Sequence, residues 1–477
     1  MVHRYLNNGY YIVLDVNSGS VHNVDKLVYD LLEIYEELSD ENKLNQNLIV
    51  SKALNSGFKY EMSDDDGKLV PALEEDIKEA VGEITELIKG GMLYTKDVYE
   101  NAIEKFLEQP SLVKALCLHI AHDCNLRCKY CFAEEGEYHG RRCLMSYETG
   151  KKALDFLVAN SGARKNLEVD FFGGEPLMNF KVVKDLVRYG RSIEKENNKR
   201  FRFTLTTNGT YLNDEIMEFA NKEMSNLVLS IDGRKEVNDA MRPMAGGKGT
   251  YDIIVPKFIK AAESRDQMNY YVRGTYTHFN LDFSEDVLHL ADLGFKQISV
   301  EPVVAPKDEA YALKEEDLPI LLEQYDILAK EMLKRSKEGR AFNFFHFMID
   351  LDGGPCVYKR LSGCGAGCEY LAVTPWGDLY PCHQFVGEEQ FKLGDVDNGI
   401  QKTELSKQFR GSNVYTKEKC QNCFAKFYCS GGCAANSYHF SGSINGSYDV
   451  GCELQKKRIE CAIMMKVAKM EEEENEE

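Results

Sequence analysis

The chain holds fifteen cysteines, and they are not scattered. None lies in residues 1–116, five lie in 117–143, none in 144–355 and ten in 356–461. Cysteines used only as small core hydrophobes would not leave gaps of that size. Any fold open to this chain must therefore present two thiol-bearing segments where thiols bind metal or do chemistry. Cys117 alternates with apolar neighbours in KALCLHIA, and Cys461 lies in an apolar helical run. Those two read as packing residues.

The compartment narrows the chemistry. The start, MVHRYLNNGYYIVLDV, lacks the charged, apolar and small-residue order of a signal peptide. No uninterrupted apolar run reaches the ~18–20 residues that a membrane span needs. The expectation is a soluble cytoplasmic protein with no membrane partner. In a reducing cytosol, metal or redox chemistry is a better account of clustered thiols than disulfides. With 58 Lys and Arg against 77 Asp and Glu, the net charge of −19 argues against nucleic acid as a partner.

Residues 1–96 read as a small separate domain. YYIVLDV (11–17) and the segment around Val21 are predicted strands joined by the turn NSGS, and 24–38 is a predicted helix. SDDDG (63–67) is a predicted turn. Pro71 is expected to open a second helix, whose stripe of Leu73, Ile77, Ala80, Val81, Ile84, Leu87 and Ile88 ends at Gly90-Gly91. Two strands with helices suggest a winged-helix-like module. This fifth of the chain carries 9 basic and 18 acidic residues, nearly half the net charge. A solvated acidic surface and a peptide-docking face both account for that.

From 112 to 304 the pattern alternates. Strand-like runs at 113–120, 167–172, 202–207, 227–231, 270–276 and 297–303 are separated by helical stretches, among them 146–160, 179–190 and 252–264. Such alternation implies parallel strands with right-handed crossovers. Six repeats suggest an open, partial (β/α)6 barrel, with reactive groups at the C-terminal ends of the strands. Residues 305–363 form a bridging region with a predicted helix at 315–335. A cysteine-rich segment follows at 364–461, and 462–477 is expected to be a solvated tail.

Cys124, Cys128 and Cys131 follow the first strand with spacing C-x3-C-x2-C. Three thiolates on a four-iron cluster leave one iron open to a substrate or cofactor. The alternative is a closed zinc site completed by Cys143 and His122.

CNLRCKYC, with Tyr130 before the last cysteine, resembles the signature of radical S-adenosylmethionine (SAM) enzymes. The resemblance implies that SAM chelates the open iron and that a 5′-deoxyadenosyl radical abstracts hydrogen from an unactivated carbon. It also implies SAM contacts at Tyr130 and Phe132 and along FFGGEP, at Gly173, Gly174, Glu175 and Pro176. Further contacts fall on Thr206 and Asn208 of TTNGT, on Ser230 and Asp232 of SIDG, and on Arg273, set toward the SAM carboxylate. Val300 and Val303 are the adenine-packing candidates. No catalytic residue beyond the cluster ligands is implied.

The tail carries Cys364, twelve residues, Gly377, four residues, Cys382; then C-x2-C-x5-C-x3-C at 420–433; then Cys452. A rubredoxin-like zinc site is the structural alternative. The full pattern resembles the SPASM domain, which holds two auxiliary [4Fe–4S] clusters and brings the implied total to three. Carried over, one cluster uses Cys420, Cys423, Cys429 and Cys452. The other uses Cys364, Cys382 and Cys433, with Cys368, Cys356 or a substrate thiolate as fourth ligand.

Sulfatase maturases of this group carry an Asp just after the position of Cys382, and this chain has His383. The first 96 residues resemble the leader-binding (RiPP recognition) module of peptide maturases. The stretches 120–140 and 364–385 resemble the maturases of six-cysteine (SCIFF) peptides. That closer resemblance implies an intramolecular Cys-to-Thr thioether in a cysteine-rich precursor with its leader. Hydrogen abstraction from the acceptor residue, sulfur attack and loss of one electron to an auxiliary cluster would form it. An external donor such as flavodoxin or ferredoxin would feed the clusters. The competing functions are formylglycine formation in a sulfatase and a non-catalytic Fe–S electron carrier or peptide scaffold.

Overall fold

The computed structural model describes residues 1–63, 68–108, 111–138, 140–351 and 357–476. The predicted turn at 63–67 falls almost wholly outside the described residues, as does Cys356.

The N-terminal unit is a three-stranded antiparallel sheet, Val2–Asn7, Tyr10–Asp15 and Val21–Val24, paired in that order. The first of these strands was not foreseen. Helices Lys26–Glu36, Gln46–Asn55 and Glu74–Lys89 pack with the sheet around a separate core that includes Leu31, Tyr35, Val81 and Ile84. Asp25 caps the first helix by accepting the Val28 amide at 2.7 Å. Pro71 does not open the third helix. It ends the short strand Leu69–Pro71, paired with Glu61–Ser63, and the helix begins at Glu74. There the Asp76 carboxylate takes the Leu73 amide at 2.7 Å. Pro71 sits where a paired edge strand tolerates a missing donor.

The six barrel strands are Ala115–His122, Asn166–Gly173, Arg200–Thr207, Met224–Ser230, Tyr270–Tyr276 and Gln297–Pro302. They pair in parallel, in chain order. The third strand shows why. Phe201, Phe203, Leu205 and Thr207 are buried, while Arg200 and Arg202 are exposed and Thr204 and Thr206 intermediate, the period of two expected of a strand. The crossover helices start at Ser146, which caps the Thr149 amide at 3.0 Å, and at Asn213, which caps the Ile216 amide at 3.0 Å.

The sheet does not stop at six strands. Tyr370–Val373, from the cysteine-rich segment, lies parallel against the first barrel strand, with Tyr370 opposite Ala115 and Val373 opposite Leu118. A hairpin, Asp378–Tyr380, continues the sheet beyond it. The thiols of that segment are thereby anchored to the barrel.

The expected tail at 462–477 is instead the end of one long helix, Asp449–Glu476. Ala462, Ile463, Met464, Met465, Val467 and Ala468 are buried against the bridging helix Leu318–Lys337 and its surroundings. Arg458 of that helix donates to the Tyr325 hydroxyl at 2.7 Å, and Tyr325 bonds Tyr276 of the fifth strand at 2.9 Å. Among the described residues no helix is long and apolar enough to cross a membrane.

Candidate active site and auxiliary metal centres

The loop after the first barrel strand carries Cys124, Cys128 and Cys131 into a cavity of about 250 Å³ at the C-terminal ends of the strands. Leu126 donates its amide to the Cys124 sulfur at 3.4 Å. Burial pushes the thiols of Cys124 and Cys128 up to about 12 and 11. They are thiols until a metal displaces their protons. The zinc alternative does not assemble. His122 bonds His119 at 2.9 Å and stacks on Tyr138, and the Cys143 thiol donates to the Leu144 carbonyl at 3.6 Å. Among the described residues no three His, Cys, Asp or Glu side chains are close enough to share one ion. An iron–sulfur cluster gives each thiolate its own iron, so its ligands stand farther apart.

The second strand ends in the glycine pair. A Cβ on Gly173 would stand 2.3 Å from the Ala121 carbonyl oxygen, and one on Gly174 would stand 2.1 Å from that of Asp123. Only glycine allows the backbone this close to the cysteine loop. Glu175 is fully buried, and its carboxylate ties the second strand end to the third. It accepts from the Leu177 amide at 3.0 Å, Thr207 Oγ1 at 2.8 Å and the Asn208 amide at 2.8 Å. Asn208 in turn donates to Asn125 of the cysteine loop at 2.9 Å.

Tyr130 donates to both oxygens of buried Asp232, at 2.7 and 2.8 Å, and receives a bond from Arg242 at 2.9 Å. Burial pushes Asp232 up to about 6, and Arg242 works against it. The strand-end residues Gly173, Gly174, Pro176, Thr206, Ser230 and Val303 line the cavity, as does Phe132. Arg273 also lines it, but its guanidinium is paired with Glu301 at 3.0 Å.

Two expected contacts fall elsewhere. Val300 is fully buried in the core, because strand alternation turns its neighbour Glu301 to the cavity instead. Asp232 lies behind the wall, under Tyr130. Sequence reasoning missed Arg242, Tyr138 and Phe172 on the wall. Arg242 lies outside every motif used, and only the fold brings it under Cys128. His383 was noted for its position after Cys382. It stands on the same wall between Phe132 and Phe172, with ring centroids 5.6 and 5.1 Å away. Its Nδ1 faces the Tyr370 hydroxyl at 3.1 Å.

The other thiols gather in two sets. Cys429 feels Cys452, Cys420 and Cys423, and burial pushes Cys429 and Cys452 up to about 12 and 11. These four border a cavity of about 710 Å³. Its wall shares Pro302 and Val304 with the first cavity. Cys382 feels Cys433 and Cys364, which form the second set. The Cys368 thiol donates to the Ser406 carbonyl at 3.1 Å. The all-sulfur donor sets and the glycine cradle suit iron–sulfur clusters and SAM.

Residues 114–255 match the family described as a 4Fe-4S single cluster domain, and 364–424 match the SPASM iron-sulfur cluster-binding domain. The chain is similar in these segments to the radical SAM/SPASM enzymes. SAM and [4Fe–4S] clusters are the cofactors of this group. A cysteine-type anaerobic sulfatase-maturating enzyme of Clostridium novyi is 25% identical over 66% of this chain and 86% of its own length. Native anSMEcpe with bound AdoMet and Cp18Cys peptide superposes with a TM-score of 0.60 at 19% identity, covering 73% of this chain and 96% of that one. Streptococcus suis SuiB bound to precursor peptide SuiA gives 0.52 at 18% identity, covering 93% and 97%. At such identities these structures establish the shared architecture: partial barrel, small N-terminal β domain and SPASM segment.

Proposed function

We propose that this radical SAM/SPASM chain is a peptide maturase that closes an intramolecular Cys-to-Thr thioether in a cysteine-rich precursor of the six-cysteine type. One observation carries the reading. Cys364, Cys382 and Cys433 stand together, while Cys368 is turned to the Ser406 carbonyl. Among the described residues, which do not include Cys356, three protein thiols leave a corner for the thiolate of a substrate cysteine. His383, next in sequence to Cys382, lies on the wall of the SAM cavity, so that corner borders the radical site.

When bound, SAM on its cluster supplies one-electron abstraction of hydrogen from an unactivated carbon. The chain does the rest. The Gly173-Gly174 backbone and the Tyr130–Asp232–Arg242 network hold the cofactor side of the cavity. Phe132 and Phe172 flank His383 and give that wall an apolar surface. Fixing the sulfur and the acceptor carbon in one cavity makes their joining intramolecular. The product has lost the thiol hydrogen and one carbon-bound hydrogen, a net two-electron oxidation. An external one-electron donor of the flavodoxin or ferredoxin type is required.

Substrate delivery falls to the N-terminal unit. Val21–Val24 is paired on one side only and offers its edge to an extended leader. SuiB, which shares this architecture, binds the precursor peptide SuiA, and that supports a peptide substrate here.

The test is anaerobic incubation of reconstituted protein with SAM, reductant and a leader-bearing cysteine-rich peptide. Loss of two hydrogens together with one alkylatable thiol is the expected result. Exchange of sulfur for oxygen in a sulfatase peptide would assign formylglycine formation instead. Deoxyadenosine release with both peptides unchanged would reject the substrate class.

A further inference from the structure

Lys417 is 4% exposed, an uncommon place for a lysine with no carboxylate partner among the described residues. Its Nζ donates to two neutral acceptors, the Gly431 carbonyl at 2.8 Å and Ser437 Oγ at 3.2 Å. Lys419 and Lys426, which border the cavity of the four-thiol set, are each neutralised, by Asp449 at 2.7 Å and Asp97 at 2.8 Å.

The position of Gly431 gives this lysine its meaning. Ser430, Gly431 and Gly432 have φ of 59°, 84° and 71°, three left-handed residues in a row. That turn separates Cys429, in the four-thiol set, from Cys433, in the three-thiol set. A Cβ on Gly431 would stand 3.7 Å from Lys417 Cδ, so the lysine stem runs along the turn itself. Burial lowers the pKa of its ammonium, and Cys420, Cys429 and Cys452 of one set and Cys433 of the other oppose that fall and favour the charged form.

We propose that Lys417 is a positioning residue shared by the two auxiliary centres, a buried cation that raises the reduction potential of both. Iron–sulfur potentials follow net charge, hydrogen bonding to the sulfurs and solvent exposure. A cation held between two anionic clusters favours the reduced form of each. The hydrogen bond to Gly431 fixes the ammonium at the turn where the ligands of the two sets part. The inference rests on the assignment of residues 364–452 as cluster ligands.

The test is an EPR-monitored redox titration of reconstituted full-length protein, with iron counted in each sample. Lys417→Gln keeps a hydrogen-bond donor and removes the charge, and Lys417→Arg keeps the charge. The expected result is full iron in both. The Gln variant should shift both auxiliary midpoints negative by a tenfold change in the reduction equilibrium, about 59 mV for one electron. The Arg variant should return toward wild type, and Lys419→Gln should not shift. An iron-replete Gln variant with wild-type auxiliary midpoints overturns the proposal, as does an equal shift of the radical SAM signal. Should the Gln variant fail to load iron, Lys417→Met is read the same way. Loss of iron from both uncharged variants, with loading of the Arg variant, would place the lysine in assembly and overturn the potential-setting role. Wild-type protein without auxiliary iron would instead overturn the ligand assignment.

Discussion

His3 and Phe424 stack with ring centroids 3.5 Å apart and planes 3° from parallel. His3 belongs to the first strand of the N-terminal sheet, and Phe424 follows Cys423 of the four-thiol set. His3 Nε2 also meets Glu460 of the C-terminal helix at 2.9 Å. The N-terminal unit, to which we assign leader docking, thus rests directly on the four-thiol set. An aromatic pair of this kind contributes about 0.5–1.5 kcal/mol. His3→Ala is expected to loosen the docking by about that much, seen as faster limited proteolysis in the segment linking the N-terminal unit to the barrel. Unchanged cleavage would show that the Asp97–Lys426 pair holds the unit without the stack.

Gly174→Ala places a methyl group against the Asp123 carbonyl. Overpacking costs about 1–3 kcal/mol, so SAM affinity should fall roughly ten- to hundredfold. Equilibrium dialysis with SAM checks this, and iron bound by the SPASM segment should stay at the wild-type level.

The cysteines divide by what they touch. Cys433→Ser is expected to lower the iron content by the share of one centre. Cys368→Ser should leave it unchanged, because that thiol serves the Ser406 carbonyl. Iron loss from the Cys368 variant would make it the fourth ligand and close the corner reserved for substrate.

Burial pushes Asp170 up to about 6, helped by Glu168 and opposed by Thr204 and Arg273. The unfolded chain titrates this carboxyl near its ordinary value of about 3.9. Between roughly pH 4 and 6 the native state therefore binds more protons than the unfolded state, and stability falls as pH rises. Above about pH 6 the loss is complete, at most about 3 kcal/mol for a shift of two pKa units. Asp170→Asn should raise the apparent Tm at pH 7.5 and leave it unchanged near pH 4. A lower Tm at pH 7.5 would show that the ionised carboxylate's bonds outweigh its burial.

Much of the architecture is legible along the chain because its signals are local. Strand and helix periods marked the six barrel strands to within three residues at either end. Glycine, cysteine and glutamate at the strand ends named most of the cavity wall, since each motif is a few adjacent residues with one chemical job. Local signals failed where the partner was distant. The strand Val2–Asn7 is too mixed to stand out until it pairs with Tyr10–Asp15 and covers the C-terminal helix. The buried end of Asp449–Glu476 was hidden beside a run of glutamates, although its apolar stripe meets Leu318–Lys337.

By itself the sequence determined which thiols exist, their spacing, and the alternation that makes a parallel barrel. Spacing is covalent and periodicity is a property of neighbouring residues, so both survive without a fold. Only the tertiary structure decided the rest. It gave the Cys368 thiol to the Ser406 carbonyl, set Arg242 and Tyr130 on buried Asp232, and placed Lys417 against the turn between Cys429 and Cys433. Those outcomes depend on burial and on contacts between residues up to 112 positions apart, such as Arg242 on Tyr130. Desolvation gives such contacts their weight, and no stretch of sequence carries that alone.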